Sequence, residues 1–237
     1  MSPSISKTNA IRPKVSKRKS RSDEVDHKAR APQQQRSQRR FDAILDATTE
    51  LLKTSNVEDL SFNDIAEKAD ISPPSVHYMF PSMSALLDEL LKRFNRRYTD
   101  IFFEIEHKLS VTKVTSWQSW IRSMAEANRE HFNSNRAFAE IALGPIMNRA
   151  SRHAIIAVNA TLASSMIGSM SSIFMLPEVP DLHRKMTLSL DVFDALWGRA
   201  YMEHGTIDEA TFEESIQVVI AYLRLILPET LAQRTGS

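Results

Sequence analysis

From Ser37 onward, apolar residues return at three- and four-residue intervals in one segment after another, and no convincing run alternates as a half-buried strand does. That regularity restricts the chain to helices packed on helices, an all-α fold. Phe41, Ile44, Leu45, Thr48, Leu51 and Leu52 make the first stripe. Leu86, Leu87, Leu90, Leu91, Phe94, Tyr98, Ile101, Phe102, Ile105 and Leu109 run along a single helix that starts after Ser82. That helix is long enough to leave one core and enter another. Further helices are predicted over 115–132, 136–143, 150–174, 181–204 and 208–227. Gly144-Pro145, Pro177, Pro180, Gly205 and Pro228 mark their ends.

The rest of the composition works mainly by exclusion. There is no cysteine, which removes disulfides, zinc fingers and thiol nucleophiles. The five glycines are too scattered for a phosphate-cradling loop, so no cofactor is expected. Histidines 107, 131, 153, 183 and 204 lack metal-ligand spacing. Glu126, Glu130, Arg122 and Arg129 read as a solvated charged face rather than a catalytic pair. No secretory signal is evident, and the best membrane candidate, Met166 to Leu176, is short and interrupted by serines. The net charge of +1 hides a concentration of Lys and Arg in the first forty residues. Residues 1–35 are poor in large apolar groups, so a disordered basic arm is expected there, suited to a polyanion. It is either a solubilising tail or an aid to DNA binding through phosphate attraction.

One short segment carries the functional signal. Ile71-Ser72-Pro73-Pro74-Ser75-Val76-His77-Tyr78-Met79-Phe80 reads as a brief helix with Ser72 as its cap, Pro73 at the first helical position, and Ile71 and Val76 as a hydrophobic staple. A helix this short needs support from others. The preceding helix, about Phe62 to Ala69, opens on a Ser61/Asp64 capping box, and Asp70-Ile71 makes a tight turn between the two. Helix, helix, tight turn, short helix is the order of a helix-turn-helix whose last helix enters the major groove.

The residues Phe62-x-x-Ile65-Ala66-x-x-Ala69-Asp70-Ile71-Ser72, Tyr78-x-Phe80-Pro81-Ser82 and Ala85-Leu86-Leu87 resemble the N-terminal domain of the TetR family of bacterial transcriptional regulators. The resemblance covers roughly Arg36 to Phe94. It implies a non-enzymatic, cytoplasmic, homodimeric regulator on a double-stranded DNA operator with an inverted repeat. The implied DNA contacts are Arg39, Arg40, Ser61, Ser72, Pro73, Pro74, Ser75, His77, Tyr78 and Ser82. Ser75 and His77 would meet base edges and Tyr78 a phosphate, with Val76 and Phe80 in the core. The chain departs from the family pattern at Asp70 (commonly Gly), Pro74 (a small residue), His77 (often Tyr) and Met83 (a phosphate-contacting Lys). The arm, Arg39, Arg40 or the amides after Ser82 would compensate for the missing lysine.

This reading divides the chain into a basic arm (1–35), a helix-turn-helix domain (36–82), a connecting helix (83–108) and an effector-binding and dimerisation domain (109–237). Asn128 and Asn159 interrupt apolar stripes. They are either members of satisfied core networks or polar anchors of an apolar effector pocket lined by Trp117, Trp120, Met124, Asn128, Phe138, Asn159, Met166, Met170 and Phe174. The last two helices have broad apolar faces. In the resembled family such helices pair between subunits, which assigns dimerisation to Phe193, Trp197, Tyr201, Phe212, Ile216, Val219 and Leu223. The expected function is a repressor released by a mostly apolar small molecule. The alternatives are the same fold governed by a protein partner or acting constitutively, and an all-helical enzyme.

Overall fold

The computed structural model describes residues 30–110, 114–145 and 148–234. Residues 38–237 form one compact unit. Most of the expected basic arm therefore lies outside the described residues. The described part of it, from Arg30, is already helical, so the first helix begins before the predicted Ser37.

Among the described residues the elements are α1 (Arg30–Leu51), a 3-10 turn (Val57–Asp59), α2 (Phe62–Ala69), α3 (Pro73–Met79), α4 (Met83–Ser110), α5 (Trp117–Ser134), α6 (Arg136–Leu143), α7 (Arg149–Ile173), α8 (Leu182–His204) and α9 (Glu209–Leu223). The fold is all-α. Its only β-type pairing among the described residues is an isolated bridge between Phe174 and Gln233.

Two cores organise residues 38–237. In the first, Ile44, Leu45 and Leu52 of α1 meet Ile65 and Ala66 of α2, Val76 of α3, Phe80, and Leu86, Leu87, Leu90 and Leu91 of α4. Phe41 stacks on Phe80 with ring centroids 4.8 Å apart. Ala137 and Ile141 of α6 and Ile155 of α7 close this core from the other side. The second core is built by α5, α7, α8 and α9 around Phe102 of α4. α4 is thus common to both cores: a stripe of leucines serves one end and Phe94, Tyr98, Phe102 and Ile105 the other.

Three boundaries or assignments differ from expectation. α9 ends at Leu223 rather than near Leu227, because the chain tightens into turns in which Leu225 N–H bonds Tyr222 O and Ile226 N–H bonds Leu223 O. α7 is long and apolar enough to cross a membrane by length and composition, which no segment was expected to be. Here it packs against both α4 and α8, and its buried Asn159 is hydrogen-bonded to carboxylates of α8. Arg122 and Arg129 do not merely face solvent. Arg122 donates to both carboxylate oxygens of Glu213 at 2.7 Å. Arg129 donates to Ile207 O and Glu209 and lies 4.8 Å over the Phe212 ring, so both arginines tie α5 to α9. Glu126 and Glu130 are exposed.

Candidate DNA-binding face and buried cavity

The helix-turn-helix is assembled from local signals. Ser61 Oγ accepts from the Asp64 amide, and the Asp64 carboxylate accepts from the Ser61 amide, both at 3.2 Å, completing the predicted capping box. α2 stops at Asp70, whose backbone is left-handed (φ 53°, ψ 46°). Aspartate enters that region more readily than most residues, and its amide still bonds the carbonyls of Ala66 and Glu67. The turn survives without glycine.

α3 then projects from the domain. Val76 and Phe80 are buried beneath it, as expected. On its outer side Ser72, Pro73, Pro74, His77 and Tyr78 are exposed and Ser75 is half-buried. Tyr78, 89% exposed, is the most exposed of the large apolar or aromatic side chains described. His77 sets its ring edge-on against Phe62 at 4.5 Å, which fixes its direction. Ser72 does not cap α3 through its side chain. Its hydroxyl instead pairs with that of Ser75 at 2.9 Å, while the Ser75 amide bonds the Ser72 carbonyl at 2.9 Å. Ser82 Oγ accepts from the Ala85 amide at 3.2 Å and so caps α4. Arg39 and Arg40 are exposed on α1, and Ser61 is exposed at the start of α2.

In the second core a cavity of about 50 Å³ lies between α4, α5, α7 and α8. Of the nine predicted effector residues, Met124, Asn128, Asn159 and Met166 line it. Trp117, Trp120, Phe138, Met170 and Phe174 are buried nearby in the core without lining it. The sequence reading missed Tyr98 and Phe102 of α4, Ile121, Ala125 and Phe132 of α5, Leu162 of α7, and Leu190, Phe193, Asp194 and Trp197 of α8. Asp194 had left a trace: it sits with Leu190 and Trp197 at four- and three-residue spacing on an apolar stripe.

The cavity's polar groups form two short networks. Tyr98 donates its hydroxyl proton to Asn128 Oδ1 at 2.8 Å, and Asn128 Nδ2 donates to Met124 O at 2.7 Å. Asn159 Nδ2 donates to Asp194 Oδ2 at 2.6 Å and Asp191 Oδ1 at 2.9 Å. Burial raises the Asp194 pKa to about 6; Asp191 adds to the rise, while the Asn159 bond and Arg152 oppose it. Burial also pushes the Tyr98 phenol up, and Asp194 adds to the rise. His131, stacked on Tyr98 at 5.8 Å, is held below its ordinary value by burial and by Arg97.

All seven predicted dimerisation residues, Phe193, Trp197, Tyr201, Phe212, Ile216, Val219 and Leu223, are buried in the chain's own core. The stripe read from the sequence is the inward face of α8 and α9. Their outward faces carry other apolar residues: Leu188, Val192, Ala195 and Met202 on α8, and Val218, Ala221 and Leu225 on and just after α9. Leu188, Met202, Val218 and Leu225 are all exposed.

A helix-turn-helix joined by a shared helix to a larger helical body presents α3 in the way a DNA-binding helix-turn-helix does. Residues 44–90 match the family of bacterial regulatory proteins described as the tetR family. The match covers the helix-turn-helix and the start of α4, so this segment has the make-up of a tetR-type DNA-binding domain. Solved structures agree in fold. A TetR-family regulator of Streptomyces coelicolor is 23% identical, with a TM-score of 0.59 over 80% of this chain and 98% of that one. A TetR-family regulator of Mesorhizobium loti is 16% identical, with a TM-score of 0.56 over 81% and 98%. SmeT, the repressor of the Stenotrophomonas maltophilia multidrug efflux pump SmeDEF, is 14% identical, with a TM-score of 0.54 over 80% and 91%. No curated protein matches the chain significantly.

Proposed function

We propose that the chain is a homodimeric repressor that binds an inverted-repeat operator through α3 and leaves it when a small, mostly apolar molecule enters the cavity. The observation that carries this reading is the double membership of α4. Leu86 to Leu91 are packed under the recognition helix, and Tyr98 and Phe102 line the cavity on the same rigid element. A ligand that displaces Tyr98 and Phe102 therefore moves the support of α3 and changes the separation of two recognition helices in a dimer. For this to release DNA, the ligand must favour the displaced state over the DNA-bound one. The outward stripes of α8 and α9 supply the dimer contact, and Ser75, His77 and Tyr78 the base and phosphate contacts, with Arg39 and Arg40 beside them. Such a protein works in the cytoplasm, and SmeT, of similar fold, is itself a repressor.

Selection of binding sites from random DNA tests the reading. An inverted repeat with half-sites about one helical turn apart is expected; recovery of no consensus overturns it.

A second reading rests on the size of the cavity. At about 50 Å³ it is smaller than the roughly 150 Å³ that holds a benzene ring in a protein interior. A regulator without a small effector, governed by a protein partner or acting constitutively, needs no larger space. Native mass spectrometry of the freshly purified dimer separates the two: a retained small molecule favours the first.

A further inference from the structure

The cavity joins an aromatic wall to a single type of charge. Among its described lining residues there is no lysine, arginine or histidine, and Asp194 is the one carboxylic acid. Asp194 is held by Asn159 through Oδ2, and Asp191 meets the same amide from one turn earlier on α8. Around this carboxylate the cavity is aromatic. Tyr98 lies 5.6 Å from Phe132, Phe132 lies 5.7 Å from Trp197, and Trp197 lies 5.1 Å from Phe193, measured between ring centroids.

A carboxylate in an apolar cavity is unfavourable unless something positive answers it. Arg152 is near enough to act on Asp194, but its side chain belongs to the exposed face of α7 and does not line the cavity. The Asn159 amide is a neutral donor. His131, stacked on the Tyr98 ring, does not line the cavity, and burial and Arg97 hold its pKa below the ordinary value. The positive partner that suits both the charge and the walls is a ligand. Aromatic faces attract a poorly hydrated cation, and a carboxylate beside them supplies the countercharge.

We propose that the effector is a lipophilic monocation, an aryl- or alkylammonium, whose charge is answered by Asp194 while its apolar part lies among Tyr98, Phe132, Phe193 and Trp197. This rests on the effector reading above and adds the chemical class to it. It also assigns the order of discrimination: cations bind best, neutral isosteres less well and anions worst, since an anion would meet Asp194 with no cation beside it. Because the cavity holds only about 50 Å³, entry of such a molecule separates α4 from α7 and α8.

The test is calorimetric titration of the full-length dimer with benzyltrimethylammonium and, separately, with neopentylbenzene, in which carbon replaces the charged nitrogen. Neither probe titrates, and the comparison in the unaltered chain needs no variant to fold. The cation is expected to bind at least tenfold more tightly. Asp194→Asn should erase that preference, with a melting temperature no lower than that of the parent. If the neutral probe binds as tightly as the cation, or if the preference survives in Asp194→Asn, the cationic class is overturned and the effector site stands. If neither probe binds, both the class and the effector site are overturned.

Discussion

The Tyr201 hydroxyl donates to Glu140 Oε2 at 2.6 Å, and Oε1 of the same carboxylate accepts the Val57 amide at 2.8 Å. One buried side chain of α6 thus bonds α8 in the body and the 3-10 turn between α1 and α2 in the DNA-binding domain. Arg136, one turn earlier on α6, donates to Leu52 O, Ser55 O and Asn56 Oδ1, at 2.7, 2.6 and 2.7 Å. α6 is a clamp on that turn, independent of the route through α4. Burial and the Glu140 carboxylate push the Tyr201 phenol up, so it remains a donor throughout the working range of pH. Tyr201→Phe leaves a buried carboxylate oxygen short of a partner and should cost about 1–3 kcal/mol of stability. Urea unfolding measures it, and an unchanged midpoint with an unchanged slope would show that the hydroxyl contributes nothing.

Asp194 should impose a pH dependence on stability. Its carboxyl has a pKa of about 6 in the fold against an ordinary value of 3.8, so the native state holds the proton over a range in which the unfolded chain has released it. Stability from this group is therefore greatest below the unfolded value, declines as pH rises between the two, and levels off above about 6. Replacing it by Asn removes the decline. The stability difference between Asp194→Asn and the parent should grow in the variant's favour by about 2 kcal/mol from pH 4.5 to pH 7.5. Denaturant titrations at the two pH values decide it, and a difference that stays constant rejects the raised pKa.

The outward and inward faces of the last two helices should respond differently to substitution. Leu188→Asp with Val218→Asp places charge on exposed apolar positions, and light scattering is expected to report a monomer with unaltered helical content. Phe193→Ala, in the core, should instead lower stability by about 3–5 kcal/mol. A double variant that stays dimeric would move the interface to another surface.

Legibility in the sequence followed the range of the interactions. The capping box at Ser61 and Asp64, the tight turn at Asp70 and the burial of Val76 and Phe80 are set by neighbours within a few residues, and each was readable in advance. α4 was readable because its stripe continues unbroken across both cores. Which side of α8 and α9 faces inward was not, since both sides carry apolar residues and only the position of α5 and α7 distinguishes them. Glu140 and Asp194 were overlooked for a related reason. A charged residue on an apolar stripe looks like a surface residue until its partners, Val57 and Tyr201 in one case and Asn159 in the other, arrive from distant segments.

At the proposed DNA-binding face, Tyr78 and His77 should behave differently despite being adjacent. Tyr78 projects into solvent, with little of its ring packed on the domain. Tyr78→Ala should therefore leave the melting temperature within about a degree while lowering operator affinity about tenfold, the worth of a single good interaction with DNA. His77 is braced against Phe62, so His77→Ala should lower both affinity and, by a smaller margin, stability. Arg39 and Arg40 are a third case, since exposed arginines that meet phosphates act on all sequences alike. Their replacement by Gln should weaken specific and non-specific binding together and reduce the salt slope by about 1 for each phosphate that is no longer neutralised. Gel-shift titrations over a range of salt concentrations, run on a selected operator and on unrelated DNA, separate the three behaviours. If Tyr78→Ala weakens both DNAs equally, Tyr78 is a phosphate contact; if it weakens neither, it is not part of the interface.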